Sequence, residues 1–488
     1  MNLYLIGHDY RYAAEQMLLT LFPDERPVYP DGRPTGDRAE LRLMSGAKVT
    51  TVTCVLVYRG RTANGRTSVA NDELTDPAEK DRRLQGAVKR AFYRAATGIG
   101  LPHKPWGMLT GVRPGKLMTP LLAQGMTDEQ AARYFVRHYD VAPARAALAV
   151  RTAHATQRAM DALGDRDVCL YVGIPFCPTR CAYCSFVSQS VEKSMALVPE
   201  FLQALAREIA ATAEAVRHAG LRVVSLYIGG GTPTTLSARQ LDALCTQLNA
   251  AFDLGALREF TVEAGRPDTI TAEKLHVLRA HRVDRISVNP QTLDDRVLET
   301  IGRRHTAQDI RDALRLVRET GGFAVNMDLI AGLPGDTPDG FRATLEQVLA
   351  LAPENVTVHT LSRKRGASLS EQAAPIPDGA QVGEMLDFAA DALPAAGYAP
   401  YYLYRQKFMS GGFENVGWTR PGQENLYNIC IMEELCSILA MGGGASTKLV
   451  RPGGGKLERH IDPKYPTEYI ANIDRICAAK AELEAFFQ

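Results

Sequence analysis

The sequence predicts an α/β fold: a partial (β/α)6 barrel over residues 166–405, preceded by an α+β domain over 1–165 and followed by a small C-terminal cap domain over 406–488. Three features predict it. Six short apolar runs alternate with amphipathic segments from Val168 onward. The first 165 residues hold helical and β-branched segments without that alternation, and the alternation stops near residue 405. A chain of 488 residues has room for two or three cores.

Taken in order, the apolar start LYLI leads into an amphipathic helix over 11–22. Candidate strands follow at 40–44 and 49–59, the second carrying the β-branched run VTTVTCVLVY. The segment 77–99 reads as a helix with Lys and Arg on one face, a solvated surface by its pattern. LPHKPWGMLTGVRPGKL, dense in Pro and Gly, reads as an ordered loop, and the Ala-rich stretch 127–164 as helical. The barrel strands are CLYVGI (169–174), VVSLYIGG (223–230), EFTVEA (259–264), RISVN (285–289), AVNMDLI (324–330) and NVTVHTL (355–361). Helices are expected between them at 196–218, 237–252, 271–281, 306–319 and 339–351, with Ser237, Thr271 and Thr306 as N-caps. Such βα repeats imply a parallel sheet, because parallel neighbours need crossover connections. GYAPYYLYRQ (397–406) extends the sheet or opens the next domain, an apolar helix is expected over 429–440, and short strands should flank the turn at Gly453–Gly455. GGGASTK and RPGGGKLE lack the spacing of a phosphate loop.

Composition narrows the function. Hydrophobic residues at 45% and charged residues at 23% describe a globular chain. The 56 basic and 55 acidic side chains balance to +1, so no nucleic-acid partner is expected. No apolar run approaches the about 18 residues of a membrane span. The start MNLYLIGHDYRY lacks the basic and apolar regions of a secretory signal, and nine Cys is an odd number, so a reducing cytoplasm is expected. Cys54, Cys245, Cys430, Cys436 and Cys477 sit among apolar neighbours and read as buried filler.

Cys177, Cys181 and Cys184 differ, standing within eight residues in YVGIPFCPTRCAYCSF just past the first barrel strand. Three thiolates on such a loop suit a [4Fe–4S] cluster with one iron left open; zinc completed by a distant ligand and a catalytic thiol pair are the alternatives. The carboxyl ends of barrel strands are where ligands bind. Strand ends here gather GGGTPT (229–234), Glu263, Asn289, Gln291, and Asp328 followed by GLPG.

CxxxCxxC with Tyr183 before the third Cys, followed by YIGGGTPT and the downstream Gln, Arg and Asp, resembles the radical S-adenosylmethionine (SAM) enzymes. Within them it resembles the oxygen-independent coproporphyrinogen III dehydrogenase (oxidase) group, in its longer Gram-positive branch. The match runs from Leu170 to Ser362, and LTGVRPGKL near residue 110 adds to it. The resemblance implies a radical SAM barrel with a [4Fe–4S] cluster on Cys177, Cys181 and Cys184, and SAM on the open iron. It places Tyr171 and Tyr183 beside SAM, Gly230, Gly231 and Thr232 on the methionyl part, and Glu263 on the ribose or sulfonium. Gln291, Arg303 and Asp328 line a second ligand position, and Ser362 is a further cofactor-binding residue; Tyr171, Arg303 and Gln291 are the expected catalytic residues. It further implies a tetrapyrrole substrate, an electron donor and an electron acceptor, and an oxidoreductase that turns propionates into vinyl groups. Arg303, Arg304, Arg363, Lys364 and Arg365 are candidate propionate partners. Two positions depart from the pattern: Phe186 stands where the group's enzymes have a fourth Cys, and Gln423 and Glu424 fall where the related haem-chaperone branch has an HNxxYW-type motif. Haem binding or transfer, with His305 or His359 as ligand, and another radical reaction on a tetrapyrrole are the alternatives.

Overall fold

The computed structural model describes the chain except residues 185–188, 191–193, 363–373, 407–409, 452–456 and 488. It divides into two compact units: Met1–Pro114 with Pro120–Val150, and Gly115–Thr119 with Arg151–Gln488. This differs from the expected three parts, because residues beyond 405 add strands to the barrel sheet instead of closing a core of their own.

In the first unit, β1 (Asn2–Ile6) runs parallel to β2 (Arg38–Ser45), and β3 (Val49–Tyr58) and β4 (Arg61–Ala70) continue the sheet antiparallel. β4 was absent from the sequence reading, since its string RTANGRTSVA has little apolar content. Helices Arg11–Leu21 and Pro77–Gly98 cover one face with Met17, Leu18, Val88 and Phe92. A Cβ at Gly65 of β4 would overlap the carbonyl of Ala91, so glycine lets the longer helix lie directly on the sheet.

The second unit is built on β5 (Asp167–Ile174), β8 (Arg222–Gly230), β9 (Glu259–Glu263), β10 (Arg285–Ser287), β11 (Ala324–Ala331) and β12 (Asn355–Thr360). These six are parallel neighbours in chain order, at the six predicted places. The helices between them begin as predicted: Ser237, Thr271 and Thr306 each accept a backbone N–H three residues on. Short β6 (Phe176–Cys177) and β7 (Gln189–Ser190) pair beside the sheet. At the far edge, β13 (Ala399–Tyr404) and β14 (Asn415–Thr419) attach antiparallel to β12. The predicted helix at 429–440 is instead a helix over Leu426–Glu433 followed by β15 (Ser437–Gly442), which runs parallel to β5. The apolar runs on either side of Glu433 and Glu434 hid this break, because a short apolar run has the same composition in either state. β16 (Ser446–Leu449) and β17 (Glu458–Ile461) close the order.

Alternation divides the strands into two faces. Leu170, Val172, Leu226, Ile228, Val262, Val325, Met327 and Val356 are buried and apolar, whereas Tyr171, Tyr227, Glu263, Asn326, Asp328 and Thr357 share the other face. The segment preceding β15 fills the end of that polar face where the strands start. Glu259 accepts from the backbone of Leu426 and Tyr427 and from Ser225, Asn425 donates to Thr261, and Arg285 and Asn355 donate to the carbonyl of Gln423. The opposite end, where the strands finish, carries the cysteine loop.

Candidate functional site

Cys177 follows β5 directly, and its Sγ lies 3.4 Å from the Thr232 hydroxyl. The Cys184 amide donates to the Cys181 carbonyl at 3.1 Å, and the Ala182 amide to the Ile301 carbonyl at 3.1 Å, so the loop is pinned to the turn before Arg303. Arg266 donates to the Thr179 hydroxyl at 2.7 Å, a second tie the sequence reading missed. The three sulfurs do not converge to the spacing of ligands on one ion, within 4.8 Å, and a cluster does not ask it, since each thiolate takes a different iron.

The Gly loop after β8 sits against this turn. The Gly231 amide donates to Ile174 at 2.8 Å and the Thr232 amide to Phe176 at 2.7 Å. Those two amides are thus committed inside the chain and tie the Gly loop to the segment that leads into the cysteines. A Cβ on Gly231 would stand 2.5 Å from the Phe176 carbonyl oxygen, so only glycine fits.

Arg303 is buried at 9% exposure, while Arg304 next to it is exposed. Its guanidinium donates to the carbonyl of Gly265 and to the Tyr183 hydroxyl, both at 2.9 Å, and its Nε has no partner. No carboxylate of the described residues pairs with it. Burial works against its charge, and the Tyr183 hydroxyl and then the Cys181 and Cys177 sulfurs favour it. A buried cation with only neutral partners suits an anionic group beside it, and a thiolate-held cluster is one. The residues present therefore fit a [4Fe–4S] cluster.

Glu263 ends β9 and accepts from Tyr227 at 2.6 Å. Burial pushes its carboxyl up to about 7, against that hydrogen bond and helped by the charge of Asp328. Asp328 lies within β11, not at its end. Burial would raise it too, but His359 at 3.7 Å and the amide of Asn326 hold it below the usual carboxylate range. Asn289 donates to it at 2.8 Å. Gln291, buried, takes a left-handed φ of 66° while its amide donates to the Asp328 carbonyl. For a non-glycine residue that conformation is strained, and such strain collects at functional positions. Tyr171 stacks with Tyr227 and Tyr427 at centroid distances of 6.2 and 6.0 Å, its hydroxyl near Gly230. Ser362 is half-buried just past β12. Tyr227 was not singled out from sequence, although it stands two residues before Gly229 and so on the same face.

Both ring nitrogens of His305 are buried without a partner, and burial beside Arg303 and Arg266 pushes its pKa down to about 4, keeping it neutral. A cleft of about 630 Å³ beside the cysteine loop is lined by Thr179, Arg180, Glu299, Arg303 and Arg304. Arg363, Lys364, Arg365 and Phe186 lie outside the described residues. No helix among the described residues is long and apolar enough to cross a membrane.

Residues 171–348 match the family model of the Radical SAM superfamily. The chain is 39% identical, over 85% of its own length and 84% of the relative's, to the oxygen-independent coproporphyrinogen-III oxidase-like protein HemZ of Bacillus subtilis (strain 168). It is 32% identical to the heme chaperone HemW of the same organism, over 50% of this chain and 64% of that one. Among solved structures, coproporphyrinogen III oxidase (HemN) from Escherichia coli, a radical SAM enzyme, superposes with a TM-score of 0.52 at 25% identity, covering 66% of this chain and 72% of that one.

Proposed function

Because the chain belongs to the radical SAM superfamily, among the coproporphyrinogen oxidase-like proteins that use a [4Fe–4S] cluster and SAM, we propose that it converts coproporphyrinogen III to protoporphyrinogen IX. In that oxidative decarboxylation each of two propionates loses a hydrogen atom, one electron and carbon dioxide, and becomes vinyl. The carrying observation is the loop of Cys177, Cys181 and Cys184 at the carboxyl end of β5, with the buried, carboxylate-free Arg303 behind it.

When bound, the reduced cluster and SAM supply one electron and a 5′-deoxyadenosyl radical that takes the hydrogen atom. In this reading Cys177, Cys181 and Cys184 hold the irons, and the Thr232 hydroxyl bears on Cys177. Arg303 fixes the Tyr183 ring at the loop and offsets the cluster's negative charge. Gly230 and Gly231 let the methionyl group approach backbone closely, and Tyr171 flanks it. Glu263, near neutrality and gripped by Tyr227, holds ribose hydroxyls as acceptor or donor. Ionised Asp328, with Gln291 and Ser362, takes the second ligand. Exposed Arg304 at the cleft is placed to attract propionates, and the cations at 363–365 are its expected companions. An electron donor and an electron acceptor complete the reaction.

Haem transfer gains no support from the segment where a haem-binding His is expected. The Gln423 carbonyl and the side chains of Asn425 and Tyr427 are committed to hydrogen bonds and stacking within the barrel. The deciding assay is anaerobic: reconstituted, dithionite-reduced protein with SAM and coproporphyrinogen III should give 5′-deoxyadenosine and a tetrapyrrole lighter by two carboxyl groups and two hydrogens. Stoichiometric haem binding without that product would replace the proposal. Cys181→Ala should abolish the cluster's visible absorption and its iron; a variant that keeps both would show the ligands to be misassigned.

A further inference from the structure

Cys169, Cys430 and Cys436 come from three elements: β5, the helix Leu426–Glu433, and the turn into β15. From sequence Cys430 and Cys436 read as solitary core filler and Cys169 as part of a barrel strand. Folding instead brings their sulfurs together. The Sγ atoms of Cys169 and Cys436 are 3.6 Å apart, and with that of Cys430 they form a triangle in which every pair lies within 4.8 Å. Cys169 and Cys430 are fully buried and Cys436 is 7% exposed, walled by Val224, Ile438 and Tyr427. Sulfurs on one ion, with metal–sulfur bonds of about 2.3 Å, stand just under about 4 Å apart, so the triangle closes on an ion with small side-chain shifts. Core cysteines acting as apolar filler have no reason to converge.

We propose that this trio is a second metal site, separate from the cluster loop, and that it takes one monovalent soft ion, copper(I). Donors that are all sulfur select soft ions. Zinc in a structural site takes four ligands, and among the described residues no fourth His, Cys, Asp or Glu joins the three. The apolar wall favours the smallest net charge: one thiolate neutralises a monovalent ion, its proton passing to solvent, and two thiols complete the set as neutral donors. The site lies where β5 starts, whereas Cys177 lies past its end. An ion there ties the plugging helix and β15 to β5, so it acts as a staple and takes no part in the radical reaction.

The test uses the full-length protein with its iron–sulfur cluster loaded, so that Cys177, Cys181 and Cys184 are occupied. One equivalent of copper(I), supplied anaerobically as its acetonitrile complex, is challenged with bicinchoninate. One copper per chain should be retained with iron unchanged. Cys430→Ser and Cys436→Ser, each keeping its iron, should weaken retention by more than the about 100-fold that marks the upper end for loss of an outer-shell partner. Cys477→Ser should retain it. X-ray absorption of the wild-type protein alone should show a copper shell of sulfur with no iron neighbour, which keeps the question open to refutation if both variants misfold. No copper retained by wild type, retention unaffected in both variants, zinc displacing copper, or an iron neighbour would each overturn the assignment.

Discussion

Arg303 is a cation that folding removes from water without giving it a carboxylate, and that imbalance is its use. Its two donors span the Gly265 carbonyl and the Tyr183 hydroxyl, a fork that a lysine ammonium does not reproduce. Arg303→Lys should therefore keep iron but lower the rate of 5′-deoxyadenosine formation by about 10- to 100-fold, the range for partners standing behind a ligand set. Turnover equal to the parent's would remove Arg303 from the machinery. Glu263 gives a pH test. Its folded pKa of about 7 lies above its ordinary 4.5, so the folded state keeps a proton that the unfolded chain has lost between those values. Stability linked to Glu263 is hence fully present below pH 4.5, declines as pH rises through the window, and is fully lost above about 7. Glu263→Gln should flatten that decline in melting temperature measured from acid to neutral pH; an unchanged slope would assign it to other groups. Arg303 was visible in sequence through its motif. Its contacts with Tyr183 and Gly265 were not, because they join loops 120 and 38 residues away from it.

At the scale of elements, the cysteine loop and the Gly loop form one rigid corner through two backbone hydrogen bonds. Gly231→Ala places a methyl 2.5 Å from the Phe176 oxygen, and backbone on both sides cannot yield cheaply. The variant should lose about 1–3 kcal/mol and reconstitute less cluster, read by melting and iron content. Gly86→Ala supplies the contrast: it lies inside the helix Pro77–Gly98 with nothing within 4 Å of the new methyl, and should stabilise by about 0.5–1 kcal/mol. The six barrel strands and their capped helices were legible because period, length and N-cap chemistry agree at each of them. β4 was not legible, since half of its residues are exposed and its apolar signal is thin. The break between Leu426–Glu433 and β15 was not legible either, because both pieces are apolar and the reversal is set by tertiary partners such as Glu259. The same cause hid the meeting of Cys169, Cys430 and Cys436.

At the scale of the whole second unit, the last strands return to the free edge of β5 across more than 260 residues, a pairing no local pattern announces. Besides its six-residue ladder to β5, the return is fastened by a buried ionic knot. Glu208, fully buried on the helix Val198–His218, accepts from the amide of Gly442 at 2.8 Å and from the Tyr469 hydroxyl, and Lys480 Nζ stands 2.6 Å from its other oxygen. Lys480 also donates to the Ala440 carbonyl, so the helix Ile473–Phe487 is fastened to β15 by charge as well as packing. Such a pair adds little over an apolar pair of equal size, because both ions lose their hydration. Breaking it is another matter, since the survivor stays charged in a dry site. Lys480→Met should accordingly cost about 3–5 kcal/mol in denaturant unfolding of the second unit, whereas Glu208→Leu with Lys480→Met should recover most of the loss. If the double variant falls as far as the single one, the knot does not act as a pair, and the hydrogen bonds of Glu208 to Gly442 and Tyr469 become the element that secures β15 against β5.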